Sequence, residues 1–309
     1  MNNSITIAAN TLPAGPQTSH EMLDLFLGQY KATTLRTYSV ALRDFAGRHH
    51  GRALDILLAG DATAANRMAL EWRTDLVDSG KGAGSVNTYL SALRAFVKCA
   101  RLVGMITWAL DVPSVKASRV RDTAGPGLDG VRAMMNTLGD DLKGRRDRAI
   151  ISLLFVMSLR RSEVISLDLA HFEAGSRRLW IMGKGRTRRE PVTVPLAVLD
   201  TLNHYLDARG RDAGPLFVSA NRSSGGMDRL SSNGLYNMIQ RAGKLAGIGE
   251  VRPHGLRHAG ITAGLDMTGG DVRQVRVYSR HSDLKTLIEY DDNRQDFGGK
   301  VAGMIAAAL

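Results

Sequence analysis

Eleven consecutive residues, Ala149 to Leu159, are interrupted by no polar side chains other than Ser152 and Ser158. Such a stretch has to be buried, because each large aliphatic side chain removed from water is worth about 1.5–3 kcal/mol. It is too short to span a bilayer, where a helix needs ~20 residues. The chain must therefore build a folded core around it, and Asp147–Leu159 is read as a buried helix. Arg160 and Arg161 follow the apolar run directly. Two guanidinium groups are thus delivered at the edge of a core, where an arginine needs a partner, and Glu163 stands three residues on.

The 309 residues, 44% of them hydrophobic, are enough for about two domains with ordinary cores. Lys and Arg number 41 against 30 Asp and Glu, for a net charge of +11. That imbalance suggests a polyanionic partner, most often nucleic acid, the alternative being a basic surface that aids solubility. Cys99 is the single cysteine, so no disulfide forms within the chain, which fits a reducing, cytoplasmic setting. The N-terminus has neither the basic start nor the unbroken apolar stretch of a secretory signal, and no membrane association is expected.

Residues 1–18 lack periodicity and are expected to form a disordered leader. Residues 19–110 have helical spacing throughout. Met22, Leu23, Phe26 and Leu27 share one face, as do Leu35, Tyr38, Leu42 and Phe45. A third helix covers Ala65–Leu76, and Ser85 is the expected N-cap of a fourth that runs to about Val103. On that fourth helix Asn87, Ser91, Arg94 and Lys98 form a polar stripe opposite Val86, Leu90, Leu93, Val97 and Ala100. Amides and guanidinium groups suit base edges, and Ser and Lys suit phosphates, so the stripe is a candidate DNA face. An ordinary solvated face is the alternative.

Residues 111–127 hold Pro113, Pro126, Gly125 and Gly127 without an apolar period, and read as a linker. Residues 128–309 form a second, mixed domain, mostly α with a small β-hairpin. Its expected strands are 178–182 and 191–194, with a further one at 216–219. Helices are expected at 162–169, 196–208, 232–246, 254–267, 271–278, 283–291 and 299–309.

Four pieces of the second domain carry chemistry. The first is Ser158 to Glu163. The second is Lys184 between Gly183 and Gly185, in a turn crowded with Arg186, Arg188 and Arg189; like charges this dense repel unless a polyanion is present. The third is His254 to His258. Histidines at i and i+4 can bind zinc, but the glutamate of the metalloprotease pattern is missing and no cysteine is near. The competing reading has His254 and Arg257, one helical turn apart, gripping one anion. The fourth is Ser279 to Leu284, followed by Tyr290.

In this order, Arg160, Lys184, His254, Arg257, His281 and Tyr290 resemble the tyrosine recombinase (phage integrase) family. The resemblance takes in SLRRSE at 158–163, GKG at 183–185, HGLRH at 254–258, and a histidine nine residues before the tyrosine. It implies a helical core-site DNA-binding domain at 19–110 and a catalytic domain at 128–309, in the simpler, Xer-like layout. It also implies site-specific strand transfer through a 3′-phosphotyrosyl intermediate at Tyr290, without metal, ATP or other cofactor. Implied partners are double-stranded DNA with paired inverted half-sites and further copies of the chain, as dimer to tetramer, in a nucleoid-associated setting. Arg160 and Arg257 would clamp the phosphate and His281 would donate a hydrogen bond. His254 is the candidate base and Lys184 the candidate acid, with Arg186 and Arg188 on the DNA. The sequence departs from the family pattern twice: Ser158 and Arg280 stand where glycine is usual. Two other classes remain open at this stage, a type IB topoisomerase-like relaxer and a non-catalytic DNA-binding protein.

Overall fold

The computed structural model describes residues 15–116, 125–183, 185–219, 228–281 and 297–308. Lys184, Tyr290 and the helix expected at 283–291 lie outside them, as does most of the leader expected at 1–18. The chain divides into two compact units after Arg121.

The first unit is all helical. It contains α1 (Ser19–Gly28), α2 (Ala32–Ala46), a single turn α3 (Arg48–Gly51), α4 (Ala53–Ala59), α5 (Ala62–Asp78) and α6 (Ala83–Leu102). Side chains from the local sequence fix several helix starts. Thr18 Oγ1 accepts from the Glu21 backbone N–H at 3.1 Å, while the Glu21 carboxylate accepts from the Thr18 N–H at 3.3 Å. Asp61 caps α5 by accepting from Ala64 N–H at 2.8 Å. The core is built from Met22, Phe26, Leu42, Phe45, Trp72, Leu90, Leu93 and Phe96. Trp72 is buried whole because its indole N–H finds Asp44 Oδ1 at 2.7 Å.

Two expectations change here. α6 starts at Ala83, capped by Gly82, and Ser85 falls inside its first turn, because the Gly82 carbonyl already accepts from Ser85 and Val86. The segment read as linker begins as part of this unit. Val112 is buried in the core, and Asn87 grips Val115 as a neighbouring strand would. The Asn87 amide donates to Val115 O at 2.9 Å and accepts from Val115 N–H at 2.8 Å.

The second unit is built round α8 (Leu142–Phe155), the apolar run of the sequence. Asp141 caps it through Gly144 N–H at 2.9 Å. α7 (Gly127–Asn136) lies near its start, and α10 (Leu196–Arg209) and α12 (Pro253–Met267) pack along it. Gly260 permits the α8–α12 contact: a Cβ there would lie 2.1 Å from the Phe155 carbonyl oxygen. A short helix α9 (Arg161–Ile165) and a 3-10 turn (Leu169–His171) lead into an antiparallel sheet of order β1-β2-β3. Its strands are β1 (Phe172–Glu173), β2 (Arg178–Ile181) and β3 (Glu190–Thr193), with Leu179 opposite Val192. Around 216–219, where the sequence suggested a strand, the structure forms an isolated bridge, Val218 to Arg229, flanked by hydrogen bonds from Ser219 N–H to Asp228 O and from Leu230 N–H to Phe217 O. The remaining elements are α11 (Ser232–Leu245), α13 (Val272–Ser279) and α14 (Phe297–Ala307).

Candidate active site

α8 ends in a wide turn. The Leu159 N–H reaches back to the Leu153 carbonyl at 3.0 Å, and Ser158 adopts φ 50°, left-handed backbone that a side chain disfavours. The turn exposes the Ser158 carbonyl to what packs against it and places Arg160 at the cap of α9. Glu163, fully buried, then binds Arg160 twice. Its Oε2 accepts from the Arg160 backbone N–H at 2.8 Å, and its Oε1 from Arg160 Nη1 at 2.8 Å. A guanidinium held this way has its remaining donors fixed in direction.

Arg257 comes from α12 and is 2% exposed. Its Nη1 donates to the Ser158 carbonyl and its Nη2 to the Ser279 carbonyl at 2.6 Å. The arginine is therefore seated by backbone carbonyls from the ends of α8 and α13. α13 ends at Arg280, also left-handed at φ 57°. His281 follows, with its Nδ1 2.9 Å from Ser279 Oγ. Burial holds the His281 pKa down at about 4, and the cationic neighbours Arg257 and Arg160, with His254 and Arg280 nearby, add to the effect. The ring is neutral at pH 7.

Arg160, Glu163, Arg280 and His281 border a cleft of about 840 Å³ whose other walls include Gly183, Arg186, Arg273 and Arg276. His254 lies on the exposed face of α12, one turn before Arg257. Its ring centroid is 6.3 Å from that of His258, nearly perpendicular to it. No group of three or more His, Cys, Asp and Glu suited to a metal occurs among the described residues. The structure thus brings together Arg160, His254, Arg257 and His281 of the six candidate catalytic residues.

Tyr278, close to this site, has its hydroxyl occupied. The Tyr278 hydroxyl faces the carbonyls of Phe155 and Val156, at 3.1 and 3.0 Å, and burial raises its pKa. A phenol so placed is a poor nucleophile. The sequence reading missed Arg273 and Arg276, although their spacing of three residues marks one face of a helix.

The candidate DNA residues are placed differently. In the hairpin, Arg186 and Arg188 are exposed, Arg186 lying 3.6 Å from Glu190, whereas Arg189 is held by the carbonyls of Ser166 and Trp180. On α6, Asn87 and Arg94 bind the backbone of Val115 and Val112, and Ser91 Oγ donates to the Asn87 carbonyl at 2.7 Å. Lys98 is exposed.

Residues 128–296 match the model described as "Phage integrase family". A tyrosine recombinase of Synechocystis sp. is 35% identical over 296 residues, which cover 93% of this chain and 94% of that one. One from Synechococcus elongatus is 34% identical, covering 95% of each. Among solved structures, the Tn1549 transposon integrase in complex with transposon right end DNA aligns with a TM-score of 0.68. It is 16% identical and covers 93% of this chain and 99% of that one. XerH site-specific recombinase bound to palindromic difH substrate gives 0.66 at 16% identity, covering 94% and 85%. At such identities these two structures speak for the fold alone.

Proposed function

The chain belongs to the phage integrase family, the tyrosine-type site-specific recombinases, and from that premise we propose that it cuts and rejoins DNA through a covalent link to Tyr290. The observation that carries this reading is that Arg160 and His281 line one cleft, with the buried Arg257 close enough to His281 to help hold its pKa down. A phosphodiester resists attack because it is anionic and its leaving alkoxide is poor, so transfer needs charge neutralisation and positioning. Arg160 and Arg257 supply the clamp on the nonbridging oxygens. His281, neutral before DNA binds, donates a further hydrogen bond. Tyr290 attacks phosphorus, with His254 accepting its proton and Lys184 protonating the departing 5′-oxygen. The product is a 3′-phosphotyrosyl bond and a free 5′-hydroxyl. The bond energy stays in that link, so rejoining by the reverse step requires no ATP.

On this reading the first unit and the hairpin hold the duplex, with Arg186, Arg188 and Lys98 on phosphates. The λ integrase structures with which the fold aligns include a dimer bound to a core site and a tetramer bound to a Holliday junction. We propose that this chain likewise pairs on inverted half-sites. α14 is suited to join copies, since Met304 and Ile305 are exposed on it at 74% and 60%.

The test begins with selection of bound duplexes from random DNA. Wild-type protein on the recovered sequence should yield an adduct that survives denaturing electrophoresis. Tyr290→Phe should bind with nearly the same affinity, since one hydroxyl adds little to an interface dominated by phosphate contacts, and should yield none. An adduct that persists in this variant would place the nucleophile elsewhere.

A further inference from the structure

We infer that Arg280 is a positioning residue for strand cleavage, bridging Glu163 and the Ser158 carbonyl so that Arg160 and Arg257 are held in register. The inference rests on the cleavage reading above. Its starting point is an oddity of the backbone: Arg280 is left-handed, at φ 57° and ψ 38°. Glycine takes that conformation without steric cost, and an arginine does not. A side chain retained there has to be held by its contacts.

Those contacts are numerous. Arg280 Nη2 donates to the Ser158 carbonyl at 2.9 Å and to Glu163 Oε2 at 3.2 Å. Its Nη1 lies 3.3 Å from each of the Met157 and Tyr278 carbonyls. Two of these partners belong to the proposed clamp. Glu163 is the carboxylate that orients Arg160, and Ser158 O is the acceptor that seats Arg257. The Arg280 carbonyl itself lies 3.5 Å from Arg160 Nη2. A single side chain therefore ties the end of α8, the start of α9 and the end of α13, and each of the two clamp arginines shares a partner with it.

The geometry explains what is lost without it. Glu163 Oε2 would keep only the Arg160 backbone N–H, and the carboxylate could turn about its axis. Arg160 would follow, since its Nη1 is bound to the other oxygen. The Ser158 carbonyl, on a left-handed residue, would be fixed by Arg257 alone among the contacts described. Both Nη groups of Arg280 are engaged inward, while its Nε is buried without a hydrogen-bond partner among the described residues, so its role runs through the neighbours. Displacements of about 1 Å at a reacting centre are enough to slow chemistry on the order of 10²-fold.

The test uses the full-length protein and duplexes recovered by selection, with single-turnover adduct formation, half-site affinity and thermal melting measured together. Arg280→Gly keeps the left-handed turn and removes the bridge. Cleavage should slow on the order of 10–100-fold, while affinity, set mainly by phosphate contacts, should change by less than about threefold. In an Arg160→Ala background the same change should slow the residual rate by a clearly smaller factor, because the part exerted through Arg160 is already lost while the part through Arg257 remains. Arg280→Lys, whose one ammonium cannot hold Glu163 and Ser158 O together, should fall between. An active wild type matched by Arg280→Gly, or equal slowing with and without Arg160, would overturn this inference alone. If the glycine variant melts too low to assay, an Arg280→Lys rate equal to wild type would overturn it. A wild type that forms no adduct would overturn the cleavage reading and this inference with it.

Discussion

The stripe on α6 and the arginine cluster at the end of α8 look alike in sequence, each a set of polar and cationic side chains beside an apolar helix. In the structure they serve opposite ends. On α6, Asn87 and Arg94 turn to their own chain and hold the segment 112–115 against the first unit. At the end of α8, Arg160, Arg257 and Arg280 converge on one buried carboxylate, Glu163, and on the carbonyls of a strained turn. Arg160 and Arg280 share that carboxylate, and Arg257 and Arg280 share the Ser158 carbonyl. The stripe leaves Lys98 facing solvent. What separates the two is where the partners of the cations lie: 18 residues away for Arg94, but 117 to 123 for the contacts of Arg280 to Glu163, Ser158 and Met157.

The comparison can be broken most forcefully at Glu163. Glu163→Gln removes the one buried negative charge that two arginines share, and losing one side of a buried pair is worth about 3 kcal/mol or more. Chemical denaturation should show that loss, and adduct formation should fail as well. A variant of unchanged stability would mean that the carbonyls alone seat the cluster. At the other region, Asn87→Ala deletes two hydrogen bonds to the Val115 backbone. It should lower stability by about 1–3 kcal/mol while leaving half-site affinity within about threefold. Lost affinity at unaltered stability would return Asn87 to the DNA face.

The smallest effect concerns pH. His281 titrates at about 4 in the folded protein, against about 6.5 for an unperturbed histidine. Between those values the unfolded chain binds a proton that the folded chain does not, so stability falls as pH drops through that window. His281→Asn should flatten this part of the profile, and no histidine on α6 gives the first unit's stripe a counterpart. Proton NMR of the ring should show the midpoint near pH 4 without DNA and a higher one once a phosphate lies against it. A midpoint near 6.5 without DNA would mean that the ring stands in water, away from the arginines.

Much of this was legible in the residues. The apolar run 149–159 foretold α8, and the spacing of Arg160 and Glu163 foretold their pairing. The elements that escaped notice lack a long period. α7 buries only Val131 and Met134, α4 has seven residues, and β1 has two. The roles of Asn87 and Arg280 escaped for another reason. Each depends on a backbone group far away in sequence, and a side chain's periodicity records only which way it faces. Arg280 reads in sequence as a disturbed turn because the usual glycine is missing; its side-chain partners emerge only when α8, α9 and α13 meet.

Gly260 sets a limit of a different kind. One methyl group at that position would meet a peptide oxygen of α8 at 2.1 Å, and nothing there is soft enough to give way. α12 would have to retreat by about an ångström, carrying Arg257 with it, three residues up the same rigid rod. The separation of the two clamp arginines is therefore gauged by a hydrogen atom, on a face of the helix that the substrate need never touch.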